Sequence, residues 1–169
     1  MKRRMLTTSD GPVVASEKTL RALIAIRRQN LLGKLYNQRV VIARSIADAI
    51  FDVLNGTDKL NYLDVQEDRE DVELPSRVAG ANRSDAATLR LALGVGASVV
   101  LLEDPIKERA KLSFIKSEGT ISILVQAHRL GFLSAVQPMV KALEKLGFAD
   151  VLPPPDQLQA IWRALEDLE

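Results

Sequence analysis

Three acidic residues stand where an α/β protein could carry out chemistry. Glu103 and Asp104 directly follow an apolar run, and Asp85 lies near the start of the helical pattern that precedes this run. Ligands of parallel α/β sheets gather at the carboxyl ends of the strands, and carboxylates there can hold a divalent cation or move protons. Structural roles account for the same acids, because a helix dipole favours Asp85 in a first turn and acids after a strand can cap the next helix. Both interpretations stay open at this point.

The stretch around these acids is predicted to be a helix that leads into a buried strand. Asn82 and Ser84 are N-cap residue types, and the apolar helical pattern after them stops at Gly94 and Gly96. Residues 98–102 then form a continuous apolar run, which is typical of a parallel strand covered on both faces. A helix followed by such a strand is half of an α/β crossover.

The same alternation of strands and helices is predicted along the rest of the chain. It predicts an α/β fold of three layers, α/β/α, with a mainly parallel sheet of four or five strands. The predicted strands are residues 12–15, 39–43, 98–102 and about 112–116. The predicted helices begin after Ser16 and continue to about Leu31, and then cover 45–54, 84–93, 106–111, 121–129 and 134–146, followed by a terminal helix around 158–165.

The chain of 169 residues is predicted to form one domain over residues 12–150, after a flexible segment, 1–11. Residues 57–80 interrupt the pattern and are predicted to form an exposed acidic loop or insertion. Its acids are Asp64, Glu67, Asp68, Glu70, Asp71 and Glu73. Residues 151–169 comprise a proline-rich connector and an amphipathic helix, which packs on its own domain or supplies a homodimer face.

Composition excludes several classes of function. The absence of cysteine excludes disulfides and thiolate metal sites and is compatible with the cytoplasm, and a zinc site or catalytic triad would depend on the single histidine, His128. Phosphate-loop and dinucleotide-loop motifs are absent. No apolar run approaches the roughly 18 residues of a membrane span, so no membrane partner is expected. Residues 1–60 carry 11 Lys and Arg against 5 Asp and Glu, a basic excess that suits RNA phosphates.

Four stretches of the sequence together resemble the small PIN-domain-like proteins, relatives of VapC-type toxin ribonucleases. They read PVVASEKTLRALIAIRRQNLLGKLY, RVVIA, SDAATLRLALGVGASVVLLED and EGTISILVQAHRLGFLSAVQPMVKALEKLGF. The resemblance covers most of residues 12–148 and is most specific over 84–104 and 119–132. It implies a PIN-like fold in which acids at the carboxyl edge of the sheet bind Mg²⁺ or Mn²⁺ and hydrolyse RNA.

The resemblance also implies roles for individual residues. The family's acid that opens the central helix matches Asp85, and its acid after the following strand matches Glu103, with Asp104 as a further candidate. These three are therefore the predicted catalytic and metal-binding residues.

Three positions depart from the family's pattern. The family's first aspartate corresponds to Ser16, its nearby serine or threonine to Lys18, and a second glutamate of the central helix to Ala87. A serine supplies no carboxylate charge, and Lys18 brings a positive charge towards a cation site. The resemblance therefore implies a degenerate acidic site.

Three functions compete at this stage. The first is a PIN-like module of ribonuclease ancestry, with weak or absent nuclease activity, that binds RNA or a protein partner such as an antitoxin. The second is an active Mg²⁺- or Mn²⁺-dependent ribonuclease of the toxin–antitoxin type, in which Glu17 replaces the missing acid beside Asp85, Glu103 and Asp104. The third is a domain used only for assembly, through its terminal helix.

Overall fold

The computed structural model describes residues 11–36, 39–55 and 60–167. The predicted flexible segment 1–11 lies outside these residues except for Gly11. Within the described ranges, no helix combines the length and the hydrophobicity that crossing a bilayer requires.

Within the described residues, five parallel strands form a single sheet in the order β3-β2-β1-β4-β5. The strands are β1 (Val13–Ala15), β2 (Val40–Ala43), β3 (Leu63–Gln66), β4 (Val99–Leu101) and β5 (Ser117–Glu118). The central strand, β1, pairs with β2 on one side and β4 on the other. Every residue of β1, β2 and β4 is buried, which explains their uninterrupted apolar sequences.

Nine α-helices accompany the sheet in the described residues. They are α1 (Glu17–Ala25), α2 (Asn30–Leu35), α3 (Arg44–Ala49), α4 (Phe51–Asn55), α5 (Arg83–Val95), α6 (Ile106–Leu112), α7 (Thr120–Arg129), α8 (Gln137–Lys145) and α9 (Pro155–Glu166). Helix α5 packs across β1, β2 and β4 and contacts α3, whereas α1 and α2 pack on α7. The predicted three-layer α/β/α fold with a parallel sheet is therefore confirmed.

The predicted acidic loop, residues 57–80, needs correction. Its described part contains an edge strand, β3, which pairs in parallel with β2. All four residues of β3 are only half-buried, because an edge strand has one neighbour and partly faces solvent. A short 3₁₀ helix, Ser76–Val78, follows and buries Val78.

The predicted strand at about 112–116 is wrong. Helix α6 continues to Leu112, and the strand β5 is the two-residue segment Ser117–Glu118. Phe114 is fully exposed and has a positive φ of 62°, so this apolar residue forms a turn and does not enter the sheet. An exposed phenylalanine cannot be distinguished from a buried one by residue type alone.

Two predicted helices are each divided into two. The first ends at Ala25 with Ile26 as its C-cap, Arg27 takes a positive φ of 57°, and the chain becomes helical again as α2. The Arg28 amide donates to the Leu23 carbonyl across this turn, which closes the end of α1. The predicted helix 45–54 breaks at Ile50 into α3 and α4.

Candidate functional site at the carboxyl edge of the sheet

Ser16 lies at the end of β1 and acts as the N-cap of α1. Its side chain is fully buried, and its hydroxyl accepts a bond of 3.4 Å from the Thr19 amide. The same hydroxyl donates to Thr19 Oγ1 at 3.1 Å, and the Ser16 amide donates to the Leu101 carbonyl of β4 at 2.9 Å. Ser16, which the resemblance matches to the family's first aspartate, therefore acts here as a capping serine.

Glu103 lies just beyond β4 and is held by two threonines. Glu103 Oε2 accepts hydrogen bonds from Thr19 Oγ1 at 2.7 Å and from Thr120 Oγ1 at 3.1 Å. The Thr120 amide, at the start of α7, lies 3.0 Å from Oε1 and 3.1 Å from Oε2. A continuous chain of hydrogen bonds thus runs from Ser16 through Thr19 to Glu103. Sequence reasoning missed both threonines, since neither residue type is distinctive of a site.

Glu103 is only 6% exposed. Burial raises the pKa of Glu103 above its usual value, because it penalises the charged form. The Thr120 amide, the two threonine hydroxyls and the nearby Lys107 oppose this rise without cancelling it. Glu103 is therefore a buried carboxyl with three donor groups already bonded to it.

Asp85 and Asp104 meet Glu103 at a cleft of about 340 Å³. We call this the acidic cleft. Its lining residues include the acids Glu17, Asp85, Glu103, Asp104 and Asp150 and the cations Lys18 and Arg21. The structure thus brings together the three predicted site residues, Glu17, and one acid that sequence reasoning missed. Ser16 is linked to the same site through Thr19, which bonds both to Ser16 and to Glu103.

Asp85 occupies the first turn of α5, whose N-cap is Asn82. The Asp85 amide donates to Asn82 Oδ1 at 2.8 Å. Burial raises the pKa of Asp85, the positive charge of Lys18 and the Asn82 side chain oppose this rise, and the negative charge of Glu17 adds to it. Asp85 is therefore close enough to Lys18 for the two charges to interact.

Cations of the protein pair with acids of this cleft. The Lys18 ammonium contacts the carboxylate of Asp150, which lies in a short 3₁₀ helix, Ala149–Val151. Lys107 lies 3.6 Å from Asp104 at its nearest carboxylate oxygen. Asp150 follows a helix and not a strand, so the strand-end pattern that identified the other acids gave no signal for it.

The acidic cleft does not fit a divalent metal ion. Such ions require several free oxygen ligands, usually charged ones. In the part of the chain described, no group of three or more Asp, Glu, His or Cys side chains could hold a metal. The oxygens of Glu103 are engaged by hydroxyl and amide donors, and Lys18 places an ammonium beside Asp150.

A second cleft, of about 570 Å³, adjoins the first and shares Glu17 and Ser84 with it. Four arginines line this arginine cleft: Arg44 after β2, Arg69 after β3, and Arg83 and Arg90 on α5. Acids line it as well, namely Glu17, Asp48, Glu67, Asp68 and Glu70. Ala87, which the resemblance matches to the family's second glutamate, lines this cleft and not the acidic cleft.

Only part of the charge in the arginine cleft is neutralised by pairing. Arg44 pairs with Glu67 at 3.3 Å, and Asp68 accepts bonds from the amide and the hydroxyl of Ser45. Arg83 and Arg90 have no ion pair within the described residues. Arg90 Nε is buried without a hydrogen-bond partner, and so is Ser84 Oγ.

A parallel α/β domain with acids at the carboxyl edge of its sheet is the arrangement that PIN-domain proteins share. The DUF3368 family model, which describes a PIN domain, matches residues 12–150, and the chain therefore belongs to the PIN-domain family. A search of curated proteins and a search of solved structures find no match to the chain. PIN domains generally use divalent metal ions, and among the described residues of this chain no group of acids is arranged to hold one.

Proposed function

We propose that this chain is a PIN domain of ribonuclease ancestry, related to VapC-type toxins, that binds RNA without hydrolysing it. The observation that carries the proposal is the pairing of Lys18 with Asp150 inside the acidic cleft. The Lys18 ammonium there supplies the positive charge that a bound metal ion would otherwise supply. A PIN domain that lacks the cation lacks the group that would activate water and neutralise the phosphate.

Electrostatics support the loss of metal binding. Two unit charges 4 Å apart interact by about 4 kcal/mol at an effective dielectric constant of ~20, and a divalent ion carries two charges. Lys18 would repel such an ion, although solvent screens this half-exposed side chain. Ser16 removes a carboxylate that would have offset the repulsion. Lys18 and Ser16 therefore both weaken the binding of a divalent ion.

The arginine cleft supports binding of RNA. A buried guanidinium N–H without an acceptor costs free energy, which a phosphate oxygen would recover through a charge-assisted hydrogen bond. Arg90 Nε is such a group, and Ser84 Oγ, a hydroxyl oxygen of the same cleft, is also buried without a hydrogen-bond partner. Five acids and four arginines line the arginine cleft, against five acids and two cations in the acidic cleft, so the phosphate backbone is expected to meet less repulsion along the arginines.

An assay of RNA cleavage with Mg²⁺ or Mn²⁺ tests the catalytic half of the proposal. We expect no metal-dependent cleavage by the unmodified protein and measurable cleavage by the double variant Ser16→Asp, Lys18→Ser. Asp85→Asn in that double variant is the control and should abolish the gain, while circular dichroism establishes that all variants fold. Strong metal-dependent cleavage by the unmodified protein, lost on Asp85→Asn, would overturn this half.

Fluorescence anisotropy with labelled single-stranded RNA tests the binding half. The double variant Arg83→Gln, Arg90→Gln should bind at least about tenfold more weakly and with a smaller dependence on salt. Arg109→Gln removes an exposed arginine that lines neither cleft and should change the affinity less than about twofold. Failure of the unmodified protein to bind RNA would overturn this half alone and would favour a protein partner, such as an antitoxin.

One observation favours the alternative of an active ribonuclease. Asp150 brings a further carboxylate to the cleft that holds Asp85 and Asp104. If Lys18 were displaced on binding RNA, these three acids and Glu17 would form a rearranged site for Mg²⁺ or Mn²⁺. The cleavage assay distinguishes this alternative directly.

A further inference from the structure

A third cleft, of about 380 Å³, lies between the end of α7, the segment before α8 and the terminal helix α9. Its volume falls in the range of small-molecule sites. Trp162 and His128, the only tryptophan and the only histidine of the chain, both line it. None of its lining residues lines the acidic or the arginine cleft, so this tryptophan cleft is a separate feature.

The orientation of His128 is fixed by a backbone contact. His128 Nδ1 lies 2.9 Å from the Leu133 carbonyl oxygen. A carbonyl oxygen only accepts, so Nδ1 carries the proton, and in the neutral ring Nε2 is then an acceptor. No described group forms a hydrogen bond with Nε2. An acceptor is therefore left free on the side of the ring away from Leu133.

The other polar groups of the tryptophan cleft are also able to accept hydrogen bonds. Glu166, Gln137 and Ser134 line it, and Glu166 has no ion pair among the described residues. No lysine or arginine belongs to the described lining. The face of an indole ring attracts cations, and a carboxylate beside it strengthens that attraction. The cleft thus offers one negative charge, several acceptors and an aromatic face.

We propose that the tryptophan cleft binds a guanidinium group, through its Trp162 face and its Glu166 carboxylate. A guanidinium is planar, always charged and carries five N–H donors, which matches a cleft lined by an indole ring, a carboxylate and several acceptors. Phosphate and other anions have the wrong charge for this lining. The group is supplied by a free alkylguanidine or by an arginine side chain of a partner.

The single tryptophan makes a direct test straightforward. Agmatine is titrated into the full chain at constant ionic strength, up to about 20 mM, well above the ~1 mM Kd of a weak site. Trp162 fluorescence should change saturably. Glu166→Gln should weaken binding at least about tenfold, whereas Glu144→Gln, an exposed acid on α8, should leave it unchanged. Heteronuclear NMR shifts around His128 provide a second readout that does not require the tryptophan signal.

Further ligands show whether a free alkylguanidine or a peptide arginine supplies the guanidinium, and whether the cleft binds an anion instead. N-acetyl-arginine amide binding more tightly than agmatine would identify a peptide arginine, and the reverse order would identify a free alkylguanidine. Three outcomes would overturn the proposal: no saturable change with either probe, equal affinity of the Glu166→Gln variant, or binding of inorganic phosphate in place of the cations. None of them bears on the cleavage or RNA-binding experiments, which concern other clefts.

Discussion

The hydroxyl of Thr19 donates a 2.7 Å hydrogen bond to Glu103 Oε2, a residue 84 positions further along the chain. This bond joins the first turn of α1, just after β1, to the segment just after β4. PIN domains generally use divalent metal ions. Here a neutral hydroxyl bridges a serine and a glutamate, so the strands are joined without an ion.

Thr19→Val removes this bond at nearly constant volume. We expect the free energy of unfolding to fall by about 2 kcal/mol, because the buried Glu103 carboxyl loses a donor. Thr88→Val is the matched control, since Thr88 is also buried but bonds only to the Ser84 carbonyl of its own helix. Its cost should stay below about 1 kcal/mol. Urea-induced unfolding measures both values, and equal costs would show that the Thr19–Glu103 bond adds nothing.

Glu103→Gln should change the dependence of stability on pH. The pKa of Glu103 is raised in the folded protein, so the folded state binds this proton more tightly than the unfolded state. The resulting stabilisation is fully present below the ordinary pKa of 4.5 and is lost as pH rises through the raised value. The unmodified protein should therefore lose stability relative to Glu103→Gln as pH rises from 4.5. Parallel curves in urea unfolding at several pH values would contradict this expectation.

Lys18→Met should raise the pKa of Asp85 while changing the free energy of unfolding only slightly. The Lys18 and Asp150 side chains are 45% and 53% exposed, and such ion pairs contribute about 0–1 kcal/mol. Lys18 lowers the pKa of Asp85, so its removal should raise that pKa further. NMR titration of the Asp85 carboxyl carbon measures the change. Lys34→Met, on α2 and away from the acidic cleft, should leave the pKa of Asp85 unchanged.

Gly119→Ala should destabilise the protein because an added methyl group would crowd the buried Glu103 carboxylate and the backbone beside it. A Cβ at Gly119 would lie 3.1 Å from Glu103 Oε1 and 3.2 Å from the Leu102 carbonyl oxygen. We expect a loss of about 1–3 kcal/mol, as in other overpacked sites. Gly80→Ala is the control, because nothing lies within 4 Å of its Cβ position. Equal stability of the two variants in thermal unfolding would refute this account of Gly119.

Most of the sheet could be predicted from the sequence because its central strands are buried on both faces. The runs that became β1, β2 and β4 contain only apolar residues, and short apolar runs between helical segments are typical of strands inside a parallel sheet. The edge strands gave no such signal. Leu63–Gln66 alternates apolar and polar residues within an acidic segment, and β5 has only two residues.

The candidate site could be predicted only in part, for a related reason. Asp85 and Glu103 could be predicted because each adjoins a helix or strand that the sequence pattern indicates. Asp150 and Thr19 reach the same place through tertiary packing, which no local pattern encodes. The pairing of Lys18 with Asp150 likewise depends on how the segment after α8 returns to the sheet.

The position of β1 between β2 and β4 also has a consequence for biosynthesis. Strand β2 ends at Ala43 and β4 begins only at Val99, so one side of β1 has no partner while the intervening residues are translated. At ~5–20 residues per second this interval lasts several seconds. During that time the nascent chain presents an unpaired apolar strand to its surroundings. The strand order therefore makes completion of the centre of the sheet a late event in the synthesis of this chain.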